Sequence, residues 1–259
     1  MLKNIILITV IFVFSGTVTN AETVKLVTGN DYSPFTDETL PNGGMATEIV
    51  TAVFADMGHE LAFDWLPWKR GYRLAQQGTY LGTFPYIFTD EREKDFLYSL
   101  PIAKISERLI SFKGNEKKIN QWSDVEGITV CLPLGYATAK TMTEKFASGS
   151  AERITKETMS NCFEPVKSGR NYYVLAGGVQ AWFTARKLGI DFNELSVSEL
   201  DVSENRDSGL SLIISRNIQG GAGWIERFNI SLTKLQDNGM IDRIFRKHLG
   251  EDFPVELLN

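Results

Sequence analysis

Chemistry has few places to live in this chain. It carries two histidines, His59 and His248, and two cysteines, Cys131 and Cys162. No G-x-S-x-G elbow, credible S-x-x-K or H-E-x-x-H motif occurs, so neither a nucleophile triad nor a zinc-hydrolase pattern is written into the sequence. An acid–base pair could still be drawn from Glu48, Asp56, Asp64 and Glu164, although the plain reading of each is solvated surface. Neither histidine lies near a cysteine in sequence, so no metal site or other cofactor is expected, and each histidine reads as a surface residue near a helix end. What remains is binding chemistry. Arg92 and Arg70 bring guanidinium groups, which offer a bidentate fork to a carboxylate. Tyr32, Trp68 and Tyr86 are candidate apolar walls around such an anion. The competing account of Arg92 is a local ion pair with Glu91, Glu93 or Asp95, and that of Arg70 is a solvated helix face.

The elements that must position these residues follow from periodicity. Thr23–Gly29 alternates as a strand and runs into the aromatic loop Asp31–Phe35. Ile49, Val50, Val53, Phe54 and Met57 recur at helical spacing, and Gly58 stops that helix. A strand is predicted over Glu60–Leu66, a helix from Trp68 that Gly78 ends, and a strand over Tyr80–Phe84. This alternation predicts an α/β fold with parallel-rich sheets. Ligands of such sheets bind at the carboxyl ends of strands, where Asp31–Phe35, Trp68–Arg70 and Phe84–Arg92 converge. Further on, Glu107–Phe112 reads as a strand, and the polar run Lys113–Lys118 as a crossing into a second lobe. A strand over Ile128–Leu132 leads through Gly135, Tyr136 and Ala137 to a helix, so free backbone N–H groups point at whatever sits before that helix. Ser208–Ser215 is an apolar strand, and two helices close the chain.

The amino terminus sets the compartment. Met1–Asn4 is a short positive region, Ile5–Phe14 is almost wholly apolar, and Ser15–Ala21 is small and polar. That is the pattern of a secretory signal peptide over residues 1–21, with cleavage after Ala21. The apolar core is shorter than the roughly 20 residues of a membrane span; an uncleaved anchor is the alternative. A soluble, exported, periplasmic chain is expected. The formal charge of −5 argues against nucleic acid and anionic membrane surfaces, which need basic patches. In an oxidising compartment Cys131 and Cys162 can pair, and closing that loop would contribute about 3 kcal/mol in the chain-entropy model. The alternative is two buried free thiols.

Over Trp68–Pro101 the order helix, Gly, strand, turn, Arg, aromatic, Ser, Pro resembles the ligand-cradling segment of the family-3 extracellular solute-binding proteins, the polar-amino-acid receptors of ABC importers. Further matches are Tyr32–Phe35, Trp122–Gly127, Ser168–Leu175 and the closing segment Leu232–Gly250, so the resemblance covers nearly the whole mature chain. It implies a two-lobed, type II periplasmic-binding-protein fold with hinge crossings: residues 22–112 plus 214–259 as lobe 1 and 113–213 as lobe 2. It implies a monomer that captures a small polar, carboxylate-bearing solute and delivers it to ABC-importer membrane subunits. Arg92 falls on the family's carboxylate-gripping arginine, Tyr32 on its aromatic ledge, and Gly135–Ala137 on the second lobe's contribution. Two departures stand out. Gly177 occupies the place of the acid that holds an ammonium, and Ile87 the place of a hydroxyl. A carboxylate without an α-ammonium is therefore to be tried beside amino acids. A sensory or interaction module and a dehydratase-like enzyme on the same fold are the alternatives.

Overall fold

The computed structural model describes residues 23–114, 117–203, 209–251 and 253–254. The expected signal peptide lies outside the described residues. Strands are β1 (Thr23–Thr28), β2 (Glu60–Trp65), β3 (Gly82–Tyr86), β4 (Phe96–Tyr98), β5 (Ala103–Lys104), β6 (Glu107–Phe112), β7 (Thr129–Pro133), β8 (Glu152–Lys156), β9 (Tyr172–Gly177), β10 (Leu195–Val197) and β11 (Gly209–Ser215). Helices are α1 (Met45–Asp56), α2 (Trp68–Gln76), α3 (Asp90–Glu93), α4 (Lys140–Ala147), α5 (Met159–Phe163), α6 (Gly178–Lys187), α7 (Gly221–Asp237) and α8 (Met240–Leu249). No helix among the described residues is long and apolar enough to cross a membrane.

Two mixed sheets form two lobes. The first runs β2-β1-β3-β11-β4, with β5 also pairing β11; the second runs β10-β6-β9-β7-β8. Strand β1 pairs in parallel with β2 and β3, and β7 in parallel with β8 and β9, as the alternation of strand and helix requires. The antiparallel strands β11 and β6 are the ones that follow the crossings between lobes. In the first lobe, Ile49, Val50, Val53 and Phe54 of α1 pack with Phe228 and Leu232 of α7 and with Leu26 and Phe84 of the sheet. All eight are fully buried, so the helical stripe read from sequence is core. In the second lobe, Cys131 on β7 and Cys162 on α5 form a disulfide inside a core with Val174 and Phe163.

The structure moves three boundaries. Glu107–Phe112 pairs with β9 and β10, so it belongs to the second sheet and not to the first lobe, where the division at 112/113 left it. Conversely β11, from Gly209 onward, pairs with β3, β4 and β5 in the first sheet, ahead of the expected division at 213/214. Lys113 and Gly114 form a turn, and the Lys113 N–H donates to the Glu194 carbonyl of the second lobe at 2.9 Å, so the polar run begins inside that lobe rather than as a crossing, because charged composition marks exposure and not a change of sheet. The strand expected at Tyr80–Phe84 is β3, shifted to Gly82–Tyr86 by its pairing with Leu26, Val27 and Ser211.

The true crossings lie side by side. Ser106, just before β6, donates to Asp201 at 2.9 Å, and the Glu107 N–H donates to the Ser203 hydroxyl at 2.8 Å. The Val202 N–H donates to the Glu107 carbonyl at 2.8 Å. Outgoing and returning chains are thus cross-linked where they pass between the sheets, a place suited to a hinge.

Candidate functional site

Arg92 is held by a short helix with a defined cap. Thr89, extended before α3, accepts a hydrogen bond from the Arg92 N–H at 3.2 Å. The guanidinium donates from Nη1 to the Ile87 carbonyl at 3.1 Å and lies over the Tyr86 ring at 4.8 Å and the Tyr72 ring at 5.9 Å. Its neighbouring acids are engaged elsewhere: Glu91 with Lys94 at 2.6 Å, and Asp95 with the Gln76 amide at 2.7 Å. Among the described residues no carboxylate pairs with Arg92. The local ion pair that competed with an anion-binding role is therefore not formed, and a half-buried guanidinium is left facing a cavity.

That cavity has a volume of about 40 Å³ and draws its lining from both lobes. Tyr32, Trp68, Pro85–Ile87, Arg92 and Leu210 come from the first; Glu107 and Gly135–Ala137 come from the second. Trp68 opens α2 and its indole N–H donates to the Asn30 carbonyl at 3.1 Å. The ring lies against the backbone of Gly29, where an added Cβ would sit 2.5 Å from it, so this position admits no side chain. Tyr136 reaches across from the turn before α4. Its hydroxyl donates to the Asp31 carbonyl at 3.4 Å and accepts from the buried Gln180 amide at 3.1 Å. A second tie between lobes is the Met159 N–H, which donates to the Asp31 carboxylate at 3.0 Å. Tyr136 and Ala137 also line a larger cleft of about 860 Å³, so Tyr136 is the partition between the small inner cavity and the outer one.

Glu107 is the residue the sequence reading missed. It is 9% exposed, it opens β6, and its carboxylate has no hydrogen-bond or ion-pair partner among the described residues. Burial pushes it up to about 7; the charge of Asp201 pushes the same way, and Arg92 opposes. Burial chiefly, and then Glu107, raise the phenol of Tyr32. Burial also holds the phenol of Tyr136 well above the ordinary value, with Tyr32, Asp31 and Glu107 adding to it. In the sheet register Glu107 stands directly opposite Gly177. An acid is therefore present beside the position where one seemed to be lost, carried on the neighbouring strand. The signal was in the sequence as an acid heading the alternating strand Glu107–Phe112, but only the register says where it points.

Of the other expected positions, Tyr32, Trp68, Tyr86, Arg92, Gly135, Tyr136 and Ala137 are brought together in the cavity lining. Arg70 and Gly177 are not. Arg70 is exposed on α2, whose other side faces the first lobe, and Gly177 is not among the lining residues. Phe35 is a core residue, 2% exposed. The acids considered for catalysis are dispersed: Glu48 binds Lys247 and His248, Asp56 binds Lys234 and Ser231, Asp64 accepts from Tyr80, and Glu164 accepts from Asn161. Both histidines lie near a helix end, as expected, and are half-buried. His248 meets Glu48 at 2.6 Å and His59 packs on the Trp224 ring at 5.0 Å.

Comparison with known proteins agrees with this architecture. The bacterial extracellular solute-binding proteins, family 3, match residues 24–251. A comparison with curated protein sequences returns no match. Among solved structures, an ancestral arginine-binding protein bound to arginine is 20% identical, with 88% of this chain and 98% of that chain covered at a TM-score of 0.71. A structure from work on glutathione import through the cystine ABC importer of Streptococcus mutans is 20% identical, covering 90% and 97% of the two chains at a TM-score of 0.74. An ancestral amino-acid-binding protein, described as a precursor of cyclohexadienyl dehydratase, is 22% identical, covering 88% and 96% at a TM-score of 0.68. At these identities the likeness speaks for the two-lobed fold, and the family match spans almost all of the described chain. The chain belongs to the bacterial extracellular solute-binding proteins, family 3.

Proposed function

We propose that this protein is a periplasmic receptor that captures one small carboxylate-bearing solute, an amino acid or a relative, between its lobes and presents it as a monomer to the membrane subunits of an ABC importer. The observation that carries the reading is Arg92: a guanidinium facing an aromatic-walled cavity between lobes, with no carboxylate paired to it among the described residues. The fork it offers suits a carboxylate. The buried acid Glu107 across the same cavity disfavours a solute that carries negative charge alone, so a solute with a cationic group is favoured over the simple carboxylate suggested by Gly177 and Ile87. A thermal-shift screen of the mature protein against amino acids, small carboxylates and sugars tests the reading. A solute that raises the melting temperature of wild type and not of Arg92→Ala supports it, because binding to the native state alone must stabilise that state. No response to any class removes it in favour of a docking module.

One observation favours a second reading. Glu107 is an acid held near neutrality in a cavity, the type of group that serves acid–base chemistry in dehydratase-like enzymes. Following candidate solutes by NMR in the presence of the protein separates the two: a receptor returns its solute unchanged, and an enzyme does not.

A further inference from the structure

The cavity recognises charge in an unusual way. Three rings meet as mutually near-perpendicular walls: Tyr32 and Trp68 at 85° with centroids 6.1 Å apart, Tyr32 and Tyr136 at 76° and 5.4 Å, Trp68 and Tyr136 at 85° and 6.4 Å. Tyr86 adds a further wall, at 80° to Trp68 and 5.8 Å from it. Aromatic faces carry the negative part of the ring quadrupole, so a box corner of this kind attracts a cation without supplying a hydrogen-bond acceptor.

Acceptors are scarce there. A primary ammonium brings three N–H donors, and each one buried without a partner is costly. Among the lining side chains the only carboxylate is Glu107, and the other oxygens are tyrosine hydroxyls. The Tyr136 hydroxyl is already engaged by Gln180 and Asp31, and the Ile87 carbonyl by Arg92 and Tyr98. Position 87 offers no hydroxyl and position 177 no acid. A quaternary ammonium has no N–H to satisfy. It needs aromatic faces and a diffuse negative charge nearby, which are the two things present.

We propose that the cavity takes a quaternary-ammonium carboxylate, a solute of the betaine class, with Arg92 on the carboxylate and with Trp68, Tyr32, Tyr136 and Glu107 around the methylated nitrogen. This rests on the receptor reading and names its substrate class. A trimethylammonium group needs more room than the inner cavity gives, so Tyr136, the partition, moves toward the outer cleft as the solute enters. The charged groups facing Glu107 are Asp201 on the return crossing and Arg92 on α3; Tyr32 and Tyr136 are the neighbouring phenols. The ionised form of Glu107 is the one that attracts the cation, so binding strengthens as pH rises through the range in which Glu107 loses its proton.

Isothermal titration of the mature, disulfide-intact protein with glycine betaine, glycine and the tert-butyl isostere of betaine, which keeps the carboxylate and lacks the cationic centre, at pH values either side of about 7, decides the matter. The expected result is betaine binding at least about tenfold tighter than either comparison ligand, with the preference lost in Trp68→Leu. Glu107→Gln flattens the pH dependence of betaine binding. Glycine or the isostere binding as tightly as betaine overturns the proposal, and so does a lack of betaine binding. If primary amino acids then bind in an Arg92-dependent way, the receptor reading survives without it; if nothing binds, both are lost. Wild-type selectivity is decisive even where a variant fails to fold.

Discussion

Arg92 and Glu107 face the same cavity with opposite charge and form no direct ion pair among the described residues. Leaving both uncompensated costs stability, which is how a binding site differs from a core. The cost has a pH signature. In the folded protein the Glu107 carboxyl keeps its proton up to about 7, and in the unfolded chain only to its ordinary value of 4.5. The folded state therefore binds more protons in between, and stability falls as pH rises across that window. Glu107→Gln is expected to raise stability by about 1–3 kcal/mol at neutral pH and by little at acidic pH. Denaturant melts at the two pH values check this, and an equal effect at both would show that the acid is not desolvated. Arg92 was legible in the sequence because the turn that carries the family resemblance is local: a capping Thr, two residues, then the guanidinium. Glu107 was not, because its place depends on the register between β6 and β9, which no short window contains. Arg70 was misplaced for a related reason. Helical spacing divides α2 into two faces but does not say which one meets the cavity.

At the scale of elements, the strands and helices were legible from periodicity and from glycine punctuation, as at Gly58 and Gly78, both with positive φ. The lobe boundaries were not, because β6 is entered through Ile105–Ser106 with no compositional mark, and the charged stretch ahead of β11 reads only as exposure. Two element-level dependencies can be measured. The first is the close approach of Trp68 to Gly29: Gly29→Ala is expected to displace the ring, cost roughly 1–3 kcal/mol and shift tryptophan emission. A variant with wild-type stability and emission would mean that α2 does not fix this wall. The second is the Cys131–Cys162 bond, which ties β7 to α5. Its reduction is expected to cost roughly 3 kcal/mol, read as a lower midpoint in urea under reducing conditions, whereas an unchanged midpoint would show that the core around Val174 and Phe163 holds without it.

At the scale of the molecule, the lobes meet at the cavity through the Tyr136 ring against Tyr32 and Trp68 and the Asp31 carboxylate under the Met159 N–H, and beside the crossings through Val179 and Trp182 of α6, which join the first lobe's buried cluster. Polar ties at the cavity mouth beside cross-linked crossings are suited to opening and closing. Asp31→Ala is expected to weaken solute affinity roughly tenfold through faster release, with little change in association, because it loosens the closed form without touching the anion contact. Stopped-flow binding separates the two rates, and a slower association instead would place Asp31 at the mouth of the site. The central claim is that a solute carboxylate is held by Arg92 between the lobes. Its most direct test is calorimetric titration of wild type and Arg92→Ala with the solute that gives the largest thermal shift. The account predicts one site per chain in wild type and at least a roughly 100-fold loss, about 3 kcal/mol, in a variant that still melts cooperatively. Undiminished affinity in Arg92→Ala would contradict it and would move the anion contact to the backbone N–H groups before α4.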